Sequence, residues 1–123
     1  MSSLKAGELV NFILKSVLDQ FALTERELLS KDLRGEVADA RKVYIYLLKK
    51  HVGLKLEHIG KLVNRPSNQI SQYIKEFEAM DENFNKQLIA SYLTIDKKIS
   101  HFKLLNNAEE KERKEEKGTG QGE

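Results

Sequence analysis

The hydrophobic positions of this chain recur three and four residues apart, and strict alternation of the strand type is scarce. Leu9, Val10, Ile13, Leu14, Val17, Leu18 and Phe21 form one apolar stripe, which predicts a helix over residues 4–22. Thr24 then resets the chain. Thr24-Glu25-Arg26-Glu27 has the spacing of a capping box, with a hydroxyl for the third helical amide and a carboxylate three residues on to return the bond. A short helix through Leu28 and Leu29 follows, and residues 30–35 read as a polar connector. Glu36 opens a long helix to about His51, with Val37, Ala40, Val43, Tyr44, Leu47 and Leu48 inward and Gly53 as its stop.

A different rhythm begins at Leu54. A short helix ends near Val63, Asn64-Arg65 turn the chain, and Pro66 suits the first turn of a helix reaching about Met80. Asp81-Glu82-Asn83 interrupt the pattern. A last helix carries Phe84, Leu88, Ile89, Tyr92, Leu93, Ile95, Ile99, Phe102 and Leu105. Residues 106–123 hold no apolar anchor to offset the entropy of ordering, so they are expected to be a frayed helix end and a disordered charged tail. The reading is an all-α fold of five to six helices, one domain over residues 1–105, with no internal repeat.

Residues 56–75 are the most informative stretch. Two helices that cross steeply through a three- to four-residue turn need a small residue where backbones meet, a turn residue tolerant of positive φ, and apolar side chains closing the corner. Gly60, Asn64, and the set Ile59, Val63, Ile70, Tyr73 and Ile74 meet those needs at the required spacing. On the second helix, Ile70, Tyr73, Ile74 and Phe77 share one side. Asn68, Ser71, Gln72 and Lys75 share the other, with Ser67 and Gln69 near its start. Asn and Gln can pair bidentately with adenine in a major groove, and Ser can contact several bases. A purely solubilising face more often carries Glu and Lys than Ser, Asn and Gln.

Charge sharpens this picture. The 123 residues carry a net charge of +2, but residues 31–75 hold ten basic and four acidic side chains, while each remaining segment is slightly acidic. A basic centre suits an anionic surface. Arg41, Lys42, Lys49, Lys55, Lys61 and Arg65 are the candidate phosphate contacts, which position a protein on a duplex without specifying sequence. The alternative for any one of these lysines is simple solvation.

Other chemistry is thin. The chain has no cysteine, hence neither a disulfide nor a thiolate metal site. His51, His58 and His101 lack metal-ligand spacing, and no nucleophile–base set can be assembled, so neither metal, cofactor nor enzyme activity is expected. Tyr44 and Tyr46 are expected to pack inward rather than stack on bases. No apolar run approaches the ~20 residues that span a bilayer, and the N-terminus lacks the pattern of a signal peptide. The expectation is a cytoplasmic, nucleoid-associated protein.

Leu28-Leu29-Ser30-Lys31, Ala40-Arg41-Lys42 opening a long helix, and Leu56-Glu57-His58-Ile59-Gly60 together resemble the C-terminal DNA-binding domain of the bacterial chromosomal replication initiator, DnaA. The resemblance spans roughly residues 13–100. It implies a Trp-repressor-like helical fold that binds double-stranded DNA, with Arg41 and Lys49 matching family DNA contacts. The family's signature Gly-Gly-Arg-Asp-His-(Ser/Thr)-Thr-Val appears here one residue shorter, as Asn64-Arg65-Pro66-Ser67-Asn68-Gln69-Ile70. Arg65 keeps the arginine, but the residues that read the initiator's box are replaced. The family's groove-inserting arginine aligns with Leu33, leaving Arg34 beside it as a substitute. No Gly-x-x-x-x-Gly-Lys-(Ser/Thr) loop is present, so this sequence contains no initiator ATPase and no nucleotide is expected. The implied role is a sequence-specific regulator or a replication or mobile-element accessory factor. The alternative is a protein-interaction module that kept the fold and lost DNA binding. A homodimer or another protein partner is left open by the sequence.

Overall fold

The structure, a computed structural model, describes residues 6–31, 35–83 and 85–122, with side chains as far as Asn106. Among these residues there are six α-helices and no strand: α1 (Ala6–Phe21), α2 (Glu25–Leu28), α3 (Gly35–Leu47), α4 (Leu56–Val63), α5 (Ser67–Glu78) and α6 (Lys86–Gly122). A single π-helical turn, Leu48–Val52, extends α3.

Local chemistry sets the boundaries. Helix α1 closes with Ala22 at φ 54°, the Leu23 amide donating to the Leu18 carbonyl at 3.0 Å. This arrangement satisfies the last carbonyls of the helix, although alanine occupies a place that usually falls to glycine. The capping box forms as the sequence indicates: the Glu27 amide donates to Thr24 Oγ1 at 3.1 Å, and the Thr24 amide donates to Glu27 Oε1 at 2.9 Å. The helix predicted to reach His51 widens at Leu48 into the π turn, and Gly53, at φ 73°, ends it by donating to the Leu48 and Lys49 carbonyls.

Helix α3 is the axis of the fold, packing against α1, α2, α5 and α6. Val37, Ala40, Val43, Tyr44, Leu47 and Leu48 are all buried, as their spacing indicates, and all but Val37 join Ile13, Val17, Leu28, Ile45, Ile59, Ile70, Ile95 and Ile99 in one core. Burial pushes the Tyr44 hydroxyl up to about 12, with the Glu25 charge adding to the shift. Tyr46 packs too, its ring 4.6 Å from Phe77 and 5.6 Å from Tyr92. Phe12 lies outside the predicted α1 stripe yet is half-buried and stacks on Phe102 at 4.0 Å between ring centres. That stack and a polar cluster dock α6: His51 and Lys50 both reach Asp96 Oδ1, at 2.6 and 3.0 Å.

Leu93, Leu104 and Leu105 are more than half exposed, because the inward seam follows Leu88, Tyr92, Ile95, Ile99 and Phe102. The backbone of α6 is helical to Gly122, through the segment read from sequence as a frayed helix end and a disordered charged tail. Residues 108–117 are Ala, Glu, Lys and Arg, all of high intrinsic helix propensity. Phe84, placed in the last helix by its spacing, lies outside the described residues.

Candidate nucleic-acid interface

Helices α4 and α5 pack closely on one another, and α5 also packs on α3. Between α4 and α5 the chain turns in three residues. Asn64 takes the left-handed conformation at φ 56°, and the Arg65 amide donates to the Gly60 carbonyl at 2.8 Å. Arg65's own carbonyl then lies directly over Gly60: a Cβ there would sit 2.3 Å from that oxygen. Gly60 is therefore required by a backbone approach, as the sequence suggests, and the approaching atom belongs to the turn. Ile59, Val63, Ile70, Tyr73 and Phe77 are buried in the corner, with Ile74 half-buried beside them. Pro66 is the residue preceding α5, extended at ψ 154°, so the first helical position belongs to Ser67.

The outer face of α5 carries the predicted polar set. Ser67, Asn68, Gln72 and Lys75 are exposed and Ser71 is half-exposed. Gln69 turns aside: it is half-buried, and its Nε2 donates to Tyr73 Oη at 3.2 Å. Gln72 Nε2 donates to Glu76 Oε2 at 3.1 Å, and the other Glu76 oxygen meets Lys42 Nζ at 3.3 Å. The Gln72 amide foremost, aided by the Lys42 ammonium, lowers the Glu76 carboxyl from its ordinary value against the opposing effect of burial. Glu76 escaped the sequence reading, although its i, i+4 spacing from Gln72 is a signal for such a pair.

The cations divide. Lys49, Lys55, Lys61 and Lys75 are exposed, and Lys42 is half-buried in its ion pair. Lys61 and Arg65 border a shallow depression of about 270 Å³ at the turn, with Gly60, Asn64 and Pro66. Arg34 lies outside the described residues.

Arg41 corrects the expectation that it contacts phosphate. It has no accessible surface. Its Nε donates to the Leu28 carbonyl at 2.9 Å and one terminal nitrogen to the Ser30 carbonyl at 2.7 Å. A buried guanidinium must be met by acceptors, and the Leu28 and Ser30 carbonyls are among those of Arg41. Arg65 is half-buried and reaches the same Ser30 oxygen at 2.8 Å, while its other terminal nitrogen donates to the Val63 and Asn64 carbonyls. One carbonyl thus ties α3, the end of α2 and the turn before α5 together. Position 41 gave a warning in sequence, since it lies four residues from both Val37 and Ile45 on the inward face of α3.

A tight turn with a glycine-permitted backbone crossing, a buried apolar corner and an outward polar second helix define a helix-turn-helix domain. The family model for the bacterial dnaA protein helix-turn-helix matches residues 10–75, more than half of the chain. Over 73 residues the chain is 26% identical to the chromosomal replication initiator protein DnaA of Pseudothermotoga lettingae, covering 59% of this chain and 16% of that protein. Over 78 residues it is 30% identical to the protein of the same name from Oleidesulfovibrio alaskensis, covering 63% of this chain and 16% of that protein. The matched stretch is thus about a sixth of either relative. The chain belongs to the bacterial DnaA helix-turn-helix family, a family of DNA-binding domains.

Among the described residues no helix is long and apolar enough to cross a membrane, and no group of three or more potential ligand side chains could hold a metal ion.

Proposed function

We propose that this chain binds double-stranded DNA in a sequence-selective way, laying α5 in the major groove, and acts as a DnaA-domain-like regulator or as an accessory factor in replication or of a mobile element. The observation that carries the reading is the outward face of α5: Asn68, Ser71, Gln72 and Lys75 lie opposite a buried apolar face, on a helix fixed by a tight turn. Groove readers need this division, because the inner face sets the angle of presentation and the outer face meets base edges. Lys61 on α4, Lys55 just before α4 and Lys49 in the neighbouring π turn supply exposed charge for the backbone.

By the resemblance, the family's box-reading positions hold Pro66, Ser67, Asn68 and Gln69 here, so the proposed target differs from that of the initiators. Asn68 and Gln72 are the groups suited to adenine. Gln69, engaged with Tyr73, contributes to positioning within α5 instead.

The test is selection from a pool of random duplexes, followed by affinity of the enriched sequence against salt. Enrichment of one motif with a log–log salt slope of several units supports the reading. Asn68→Ala or Gln72→Ala should then cost about 1–3 kcal/mol on the preferred site and little elsewhere. Lys75→Ala should weaken binding on all sequences and reduce the salt slope by about 1. An equal loss on all sequences for Asn68→Ala and Gln72→Ala refutes base reading by α5.

One observation favours the rival reading, a protein-interaction module without DNA binding. Arg41 and Arg65, both at positions matching family arginines, are engaged with carbonyls of this fold. That reading predicts no retention of any duplex at ~50 mM salt, where phosphate contacts are strong.

A further inference from the structure

Helix α5 carries a carboxylate close to its outward face, which is costly near a phosphate backbone unless it has a task. We propose that Glu76, anchored by Lys42, fixes the orientation of the Gln72 amide and so selects adenine over guanine at the base pair that Gln72 meets. The inference rests on the DNA-binding reading and deepens it.

An isolated Gln at i and carboxylate at i+4 is a common helix pair. Two features make this one more than that. Its carboxylate is held from outside the helix: Lys42 Nζ, on α3, meets Glu76 Oε1 at 3.3 Å, leaving Oε2 for Gln72 at 3.1 Å. Gln72 also lies nearly opposite Ile70 on α5, in the direction of a groove, and is exposed.

The amide chemistry follows. An ionised carboxylate only accepts hydrogen bonds, so it must face the NH2 end of Gln72. One N–H is thereby occupied. What remains to face outward is Oε1 and the second N–H, one acceptor beside one donor. Adenine offers the complementary pair in the major groove, its N6 amino donor and N7 acceptor. Guanine offers two acceptors, O6 and N7. A freely rotating glutamine could turn both N–H groups toward guanine; a glutamine held by Glu76 cannot, and its Oε1 would oppose a guanine acceptor. Holding the amide before contact also removes part of the ordering cost of binding.

The assay uses the full chain and its selected duplex. Gln72→Ala identifies the position whose preference depends on Gln72. Duplexes with adenine or guanine there are then titrated with the wild type, Glu76→Gln, Glu76→Ala and the Gln72→Ala/Glu76→Gln double variant, after circular dichroism verifies the fold of each. Both Glu76 variants should reduce the adenine-to-guanine affinity ratio at that position by about fivefold or more, the scale of one bidentate pair. Other positions should keep their preferences, and the double variant should lose no more than Gln72→Ala alone. Removing the negative charge should also raise affinity on all duplexes, which the ratio cancels. If both Glu76 variants keep the wild-type ratio while Gln72→Ala loses it, the Glu76 assignment is overturned and the DNA-binding reading stands. If the wild type retains no duplex, both fall together.

Discussion

Adding one methyl group at Gly60 perturbs the turn without touching a polar side chain. The new Cβ would lie 2.3 Å from the Arg65 carbonyl oxygen, against the 3.0 Å below which real Cβ contacts essentially never fall. The gap must therefore open by at least about 0.7 Å. A backbone carbonyl must move, since no flexible side chain stands in the way. Ile70 Cγ1 is 3.7 Å from the added carbon and needs no adjustment. Moving the Arg65 carbonyl strains the bond from its own amide to Gly60 at 2.8 Å and the reach of its guanidinium to Ser30.

The magnitude follows from three effects. Overpacking a close-packed site costs about 1–3 kcal/mol. A weakened hydrogen bond adds about 0.5–1.5 kcal/mol. Replacing glycine inside a helix returns about 1 kcal/mol through propensity. Gly60→Ala should thus lose about 2–3 kcal/mol, a substantial part of the stability of an ordinary domain. Urea titration followed by circular dichroism reads the change directly, and Tm should fall by about 10 °C or more. Gly7→Ala is the control, because nothing lies within 4 Å of a Cβ there; it should be neutral or stabilising by up to about 1 kcal/mol. If Gly60→Ala unfolds within about 0.5 kcal/mol of the wild type, the close approach does not constrain the turn and the reasoning fails.

Ala22→Gly should stabilise the fold by about 0.5–1 kcal/mol, because relief of the left-handed strain exceeds the entropy added to the unfolded chain; an unchanged or lower Tm contradicts this. Arg41→Met should cost about 2–5 kcal/mol by leaving the Leu28 carbonyl without its guanidinium donor and the Ser30 carbonyl without one of two, and Arg41→Lys should recover only part of it; a surface-like loss under about 0.5 kcal/mol in denaturant would refute the clamp. Acid should weaken the fold in two stages. Burial, outweighing the pull of Asp96, lowers the His51 imidazole, so its contribution is full above about pH 6.5 and is lost as pH falls through the folded value. Burial opposes the charged form of Asp96, but the hydrogen bonds from His51 and Lys50 prevail and lower its carboxyl; that contribution is full above about pH 3.9 and is lost below it. Thermal melts from pH 8 to 3 should show both stages in the wild type and only the upper one in Asp96→Asn, and a wild-type Tm that rises on acidification would contradict the signs.

Much of the fold was legible because its determinants are local. The capping box needs four consecutive residues, Gly53 and Asn64 mark positive φ by type, and the inward seam of α3 repeats at one period. What escaped is non-local or runs against residue type. No pattern within α1 pairs Phe12 with Phe102, and nothing near His51 points to Asp96, 45 residues away. Arg41 was misread because arginine at a family-matching position in a basic segment suggests an anion, whereas its place on the inward face suggests burial. The face proved decisive, since the end of α2 offers two carbonyls that a buried guanidinium can satisfy.

That correction changes how the candidate interface is held. The turn before α5 touches the rest of the fold through Arg65, and the Ser30 carbonyl it reaches also accepts from Arg41. Lys31, exposed at the end of the same segment, is therefore tied in position to the start of α5. At the other end of the helix, Lys42 on α3 holds Glu76. Adjacent residues of α3 are thus linked to both ends of α5, Arg41 by sharing the part-buried Ser30 carbonyl with Arg65 and Lys42 through a partly solvated ion pair. The two links differ in strength: an ion pair with water access contributes little to stability, whereas breaking a buried guanidinium's contacts costs far more. The turn end of the helix is thus held by guanidinium–carbonyl bonds, and the end bearing Gln72 and Glu76 by the Lys42 ion pair together with the buried Tyr73 and Phe77 side chains. If α5 reads a duplex as proposed, the two links act together: the turn sets the angle of the helix, and the Lys42–Glu76 pair holds the Gln72 amide before contact.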